Sequence, residues 1–167
     1  MVNNLQATQR EILELLQRDC RLPLEKISVM IGKSLEETAE IIMEMEKTGI
    51  ILRYSSVINW DKTDKERVEA MIEVNVTPQR EKGFDEIAKR VYRFDEVKSA
   101  YLMSGSYDLL LLVEAPTLKE LAYFVHTKLS VLDSVTGTAT HFVLKRYKSD
   151  GVIFEGAKAD SRQVIVP

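Results

Sequence analysis

Two histidines, one cysteine and a short Ser-Gly-Ser run are the residues of this 167-residue chain whose types could do catalysis or hold a metal. His126 and His141 stand fifteen positions apart with no third ligand at metal-binding spacing, so a satisfied or half-buried imidazole is expected at each. Cys20 is alone, which excludes a disulfide framework and a four-cysteine zinc site; it reads as a small apolar core residue. Ser104-Gly105-Ser106 lacks the flanking glycines of a nucleophile elbow or a phosphate loop. No catalytic residue, metal or cofactor is expected. What remains is recognition chemistry. Lys33, Lys47, Arg53 and Lys62 supply cations able to meet phosphate. Glu36, Glu37, Glu40 and Glu44 oppose them, because helical spacing gathers these carboxylates into one sector of roughly 100°. A second basic cluster, Lys145-Arg146-Tyr147-Lys148, reads as a solvated strand end.

Helices must position the first of these groups. Thr8 and Glu11 have the spacing of a capping box ahead of Ile12, Leu13, Leu15 and Leu16. Pro23 can occupy the first position of a short second helix that turns Leu24, Ile27 and Ile31 inward. Gly32 allows a tight turn, and Ser34 with Glu37 opens a third helix that Gly49 stops. Leu35, Thr38, Ala39, Ile42 and Met45 form its core face. ILRYSSVI then has the β-branched and aromatic content of a short hairpin or wing. Three helices with a glycine turn before the third, followed by a small β-element, is the order of a winged helix-turn-helix over residues 1–58. In that unit the third helix enters the DNA major groove.

Composition sets the limits around this reading. The chain is 45% hydrophobic and 29% charged, enough for a real core. Its 26 acidic and 23 basic residues exclude a globally basic nucleic-acid glove but not a local patch. Residues 1–64 hold eleven acidic and eight basic residues, so the whole excess of −3 lies there. Arg10 and Glu11 interrupt the amino-terminal apolar stretch, unlike a signal peptide, and no run approaches the length of a membrane span. A cytoplasmic protein with no membrane partner is expected.

Residues 59–66, polar and beginning Asn59-Trp60-Asp61, read as a hinge. A strand over 68–76 turns Ala70, Ile72, Val74 and Val76 to one side. Thr77-Pro78 and Gly83 bound a loop, and Phe84, Ile87, Val91 and Phe94 recur at helical spacing. Strands follow at 97–104 and 108–115, joined through Gly105-Ser106-Tyr107. Thr117 and Glu120 open a helix with the inward stripe Leu118, Leu121, Ala122, Val125, Leu129 and Leu132. A long strand over 135–148 closes the series. The fold class is α+β: a winged helix-turn-helix, then a ferredoxin-like βαββαβ domain over 67–148. One face of that sheet lies under the helices, and the other is too apolar for water, which predicts a homodimer. The tail, 149–167, either adds an edge strand to a partner or stays partly disordered.

This two-part organisation resembles the leucine-responsive regulatory protein / AsnC family of transcriptional regulators over roughly residues 5–148. The opening is similar to the family's pattern at Leu5, Ile12, Leu13, Leu16, Gln17, Asp19 and Arg21. SGSYDLLLLVEAPTLKEL, 104–121, is similar to its S/T-G-x-x-D turn, strand and helix, which lead to a Thr-x-Thr strand, here Thr138 and Thr140. The resemblance implies DNA and a small effector, an amino acid first of all, as partners. It also implies a dimer that assembles into tetramers or octamers, with the effector between neighbouring dimers. The positions matching its effector cleft are Gly105, Tyr107, Asp108, Thr138 and Thr140. There a glycine turn exposes amides to a carboxylate, Asp108 can receive an α-ammonium, and hydroxyls fix orientation. On the DNA side Lys33, Ser34 and Thr38 keep residue types suited to contact, joined by Lys47 and Arg53. The sequence departs from the family at Gln6 and Gln9, where Asp is usual, and at Met43 and Glu44, where Arg is usual. That acidic helix face motivates an alternative: a metabolite-binding or hetero-assembly module with weak or lost DNA binding. Some proteins of this architecture resemble tetrapyrrole decarboxylases, which would need a basic and histidine cluster that is not visible here.

Overall fold

The computed structural model describes residues 6–77 and 83–154. Leu5, Pro78 and the tail beyond 154, including its expected edge strand, lie outside the described residues. The chain divides into two compact units, Met1–Ile58 and Asn59–Pro167.

Three helices make the first unit: α1 (Ala7–Arg18), α2 (Leu24–Ile31) and α3 (Leu35–Lys47). Ile12, Ile27 and Met45, one from each, are buried together with half-buried Leu13, Leu16 and Ile42 around them. The start of α1 is not the expected Thr8–Glu11 box. Gln6 is the N-cap, and its N–H donates to Gln9 Oε1 at 2.9 Å, because a glutamine side chain is long enough to reach back one turn. Pro23 sits one place earlier than expected, as the N-cap of α2. Gly32 ends α2 at φ +67°, left-handed backbone that favours glycine. The capping box of α3 is present: Ser34 N–H donates to Glu37 Oε2 at 3.0 Å, and Glu37 N–H to Ser34 Oγ at 3.1 Å. Leu35, expected inside, is exposed in the first turn. Residues 52–59 pair with no strand; the expected hairpin is an extended segment held to the helices by side chains instead. Tyr54 Oη donates to Glu46 Oε1 at 2.7 Å, and Cys20 Sγ donates to the Ser55 carbonyl at 3.4 Å. Cys20 is thus half-buried rather than in the core.

The second unit begins with a short 3-10 turn, Trp60–Lys62. Then follow β1 (Val68–Val76), α4 (Asp85–Val91), β2 (Val97–Leu102), β3 (Leu109–Ala115), α5 (Leu118–Phe124) and β4 (Val135–Phe142). The sheet order is β2-β3-β1-β4 and every neighbouring pair is antiparallel, the split βαβ arrangement. Ala70, Ile72, Val74 and Val76 of β1 point into the core with Leu109, Leu111 and Val113 of β3. Phe94 and Phe124 meet edge to face across it at 5.5 Å.

Two expected elements change. The stripe of α5 was expected to include Leu118 and Ala122, but both are exposed, Leu118 by 56%; Leu121 and Phe124 are the buried pair. Past Phe124 the helix widens into a π turn, Val125–Leu129, which keeps Leu129 inward and carries Lys128 to Glu96 at 2.6 Å. The final strand stops at Phe142 instead of 148. A small hairpin follows, β5 (Lys148–Ser149) with β6 (Val152–Ile153), turning on Asp150 at φ +48° and Gly151 at φ +80°. Positive φ at both central residues is the type I′ geometry that Asp-Gly favours, so the start of the tail folds back on its own chain.

Candidate DNA-contacting surface and effector turn

On the helical unit, the turn Gly32-Lys33-Ser34 delivers α3 with its exposed face ready for a partner. Lys33 N–H donates to the Ser28 carbonyl at 3.0 Å and fixes that turn. Lys33, Ser34, Lys47 and Arg53 are all exposed, as a phosphate contact needs. Thr38 is not. It is fully buried, and its hydroxyl donates to the Ser34 carbonyl at 2.7 Å, so it belongs to the core face and is withdrawn from the DNA-contacting set. A position cannot serve both faces of one helix, and the apolar spacing with Met45 decides it.

The four carboxylates of α3 are exposed but not equivalent. Glu37 is held by the Ser34 N–H and by Lys33 Nζ at 3.3 Å; these contacts, the Ser34 backbone first, pull its carboxyl below the ordinary carboxylate range. Part of the Lys33 charge is answered in return. Glu36 lies in the first turn, beside the positive end of the helix. Glu40 and Glu44 have no cation among the described residues, and Met43, 59% exposed, lies beside them in sequence.

On the second unit, the β2–β3 turn closes where Met103 N–H donates to the Asp108 carbonyl at 2.8 Å. Asp108 then ties the turn to β1: its N–H donates to the Val74 carbonyl at 3.1 Å, and its Oδ2 accepts from Val76 N–H at 2.8 Å. A backbone-binding role for Asp108 is therefore present, and Oδ1 accepts from no described residue. Gly105 has no left-handed φ, and a Cβ built on it would meet nothing within 4 Å. Tyr107 is half-buried beside it. Thr138 faces Val74 across the β1–β4 pair and Thr140 faces Ile72, so both sit on the helix-covered side of edge strand β4, half-buried. The structure brings Gly105, Tyr107, Asp108 and Thr138 to one end of the sheet; Thr140 is one residue pair further in, ~7 Å along the strand.

The two histidines are exposed, not half-buried; His141 Nε2 lies 3.4 Å from Glu73 Oε1 on the open face of the sheet. No group of three or more His, Cys, Asp or Glu able to hold a metal occurs among the described residues. No described helix is long and apolar enough to cross a membrane. The open face is less apolar than expected: Met71, Tyr101, Leu110, Leu112 and Ala139 share it with Glu69, Glu73 and Glu114.

Comparison with known proteins assigns both units. Residues 5–51 match the winged helix-turn-helix DNA-binding domain, and residues 69–153 match the Lrp/AsnC ligand binding domain. The chain belongs to the Lrp/AsnC family. Lrp/AsnC relatives match it along nearly their whole length. An HTH-type transcriptional regulator of Bacillus subtilis, YugG, is 49% identical over 160 residues, 95% of this chain and 96% of the relative. The proline dehydrogenase transcriptional activator of Rhizobium radiobacter is 28% identical over 142 residues, covering 85% and 90% of the two chains. Among solved structures, a transcriptional regulator of Neisseria meningitidis in complex with L-Met superposes with a TM-score of 0.70 at 24% identity, covering 87% of this chain and 93% of that one. The protein is a DNA-binding transcriptional regulator with a ligand-binding domain.

Proposed function

We propose that this Lrp/AsnC regulator acts in the cytoplasm as a homodimer, able to build tetramers or octamers, and responds to an amino acid bound at the β2–β3 turn. Lys33, Ser34, Lys47 and Arg53 meet the DNA. Gly105, Tyr107 and Asp108, with Thr138 and Thr140, receive the effector, and no residue acts in catalysis.

Gly105 is the observation that carries the effector reading. Neither its φ nor packing within this chain requires a glycine, since the space a Cβ would fill is open. The close approach of an outside group to the backbone does require one. Beside it Asp108 is held in place through Oδ2, which leaves Oδ1 for an ammonium, and the Thr138 hydroxyl bonds to no described residue. A carboxylate on the turn and an ammonium on Asp108 match an α-amino acid. The Neisseria relative solved with L-Met supports the same class.

A thermal-shift screen of the protein amino acids, followed by calorimetry, tests this. At least one is expected to raise the melting temperature, and Gly105→Val and Asp108→Asn are expected to abolish the effect. If no amino acid shifts the parent, or the shift survives both changes, the assignment is wrong.

A further inference from the structure

Strand β1 ends in two different environments. Val76 lies at the turn described above; Glu69, seven residues away and roughly 23 Å along the strand, lies among charges and rings which that turn does not use. Glu69 is 10% exposed and is gripped by two guanidiniums. Arg67 Nη2 sits 2.5 Å from its Oε1, and Arg146 Nη2 binds its Oε2. Arg67 also reaches Glu114 at 3.2 Å. The Arg67 guanidinium lies over the ring of Trp60 at 5.2 Å, and that of Arg146 over Phe154 at 5.2 Å. These side chains line a hollow of about 430 Å³ that opens to solvent.

An ion-pair network accounts for the charges but not for a hollow walled by two aromatic rings. The lining is also unbalanced: Arg67, Lys145 and Arg146 against Asp61 and Glu69 leaves one positive charge. Arg146 spends one Nη2 contact on Glu69, and none of its other N–H groups has an acceptor among the described residues. Glu69 locks the guanidinium in place, so a fork of donors is set at the hollow before anything enters. Its position, beginning at Trp60, is close in sequence to the last residue of the helical unit.

We infer that this hollow is a second ligand site, taking a small, flat organic monoanion of the aromatic carboxylate class. Its carboxylate meets the unused edge of Arg146, and its ring lies against Trp60 and Phe154. The inference stands apart from the effector reading, because it uses none of the same residues.

Trp60 is the single tryptophan of the chain, so its emission reports on this hollow directly. The full-length protein is titrated with benzoate at constant ionic strength, with excitation at the red edge of the indole band. A saturable change in Trp60 emission is expected, absent with chloride and much weaker with acetate. Arg146→Lys keeps the charge but loses the fork, and should weaken binding about tenfold. Phe154→Leu removes a wall without touching the ion pairs and should weaken it similarly, while Gly105→Val leaves the titration unchanged; circular dichroism checks that the variants fold. The inference is overturned if benzoate does no more than chloride or acetate. It is equally overturned if Arg146→Lys and Phe154→Leu both keep parental affinity, or if Gly105→Val abolishes the response.

Discussion

Thr38 shows how one residue changes meaning between a sequence and a fold. Its type suits a DNA contact, yet the structure buries it completely and spends its hydroxyl on the Ser34 carbonyl. Thr38→Val should therefore cost about 1 kcal/mol of stability, the net worth of one neutral hydrogen bond. It should leave the order of preference among DNA sequences unchanged. Urea denaturation and gel shifts measure the two halves, and altered preference with unaltered stability would contradict the placement. Tyr54 carries a second prediction at this scale. Partial burial, together with the Glu46 carboxylate that accepts its hydrogen at 2.7 Å, pushes the phenol up to about 12. In an unfolded chain a tyrosine ionises near ~10. The folded state therefore holds this proton more tightly, so the contribution is complete below the unfolded value. It is lost as pH rises from there through about 12. Tyr54→Phe should flatten that part of the alkaline stability curve. It should also remove a late step from the tyrosinate absorbance titration, and a parental curve in the variant would refute the coupling.

At the scale of elements, α3 sets the strength of DNA binding. Its cap engages Glu37, and the helix start favours Glu36, which leaves Glu40 and Glu44 as uncompensated charges on the exposed face. A screened like-charge contact costs on the order of 1 kcal/mol. Replacing both residues by Gln should thus tighten binding to the protein's own upstream DNA about thirtyfold at low salt. A gel-shift titration reads this, and unchanged affinity would mean that this face does not meet DNA. Most of these elements were legible in the sequence, because alternation in β1 and the Ser34–Glu37 box are local signals. Failures came where geometry intervened. The π turn after Phe124 is invisible to a fixed helical period, and the stripe read through Leu118 and Ala122 missed Phe124. Asp150-Gly151 was a local signal that a continuous strand reading passed over. The extended segment after α3 had the residue types of a strand but no partner within its own unit. In the candidate site, the residue types of the turn were readable, whereas the grip of Asp108 on Val76 joins positions 32 residues apart. The Trp60–Arg67–Arg146 cluster was missed for the same reason, since its members come from both ends of the second unit.

For the whole molecule, the unanswered surface is the open face of the sheet. α4 and α5 cover one side; Met71, Tyr101, Leu110 and Leu112 share the other with carboxylates, and Met71 and Tyr101 are 47% and 54% exposed. A mixed face of this kind suits a self-complementary contact, where apolar centres meet and charges such as Glu73 beside His141 can find partners around them. Leu112 lies on central strand β3, so Leu112→Arg places a cation in the middle of that contact while remaining on the outer face of its own subunit. Light scattering should give the parent at least twice the 19.1 kDa chain mass and the variant the single-chain mass. The DNA-binding consequence follows from counting phosphates. A dimer sets two helical units on one site, and the slope of log affinity against log salt scales with the phosphates neutralised. Loss of the dimer should therefore roughly halve that slope, while the fold of the variant, read by circular dichroism, stays intact. A parent of single-chain mass, or a variant that keeps both dimer mass and full slope, would move the interface away from this face of the sheet.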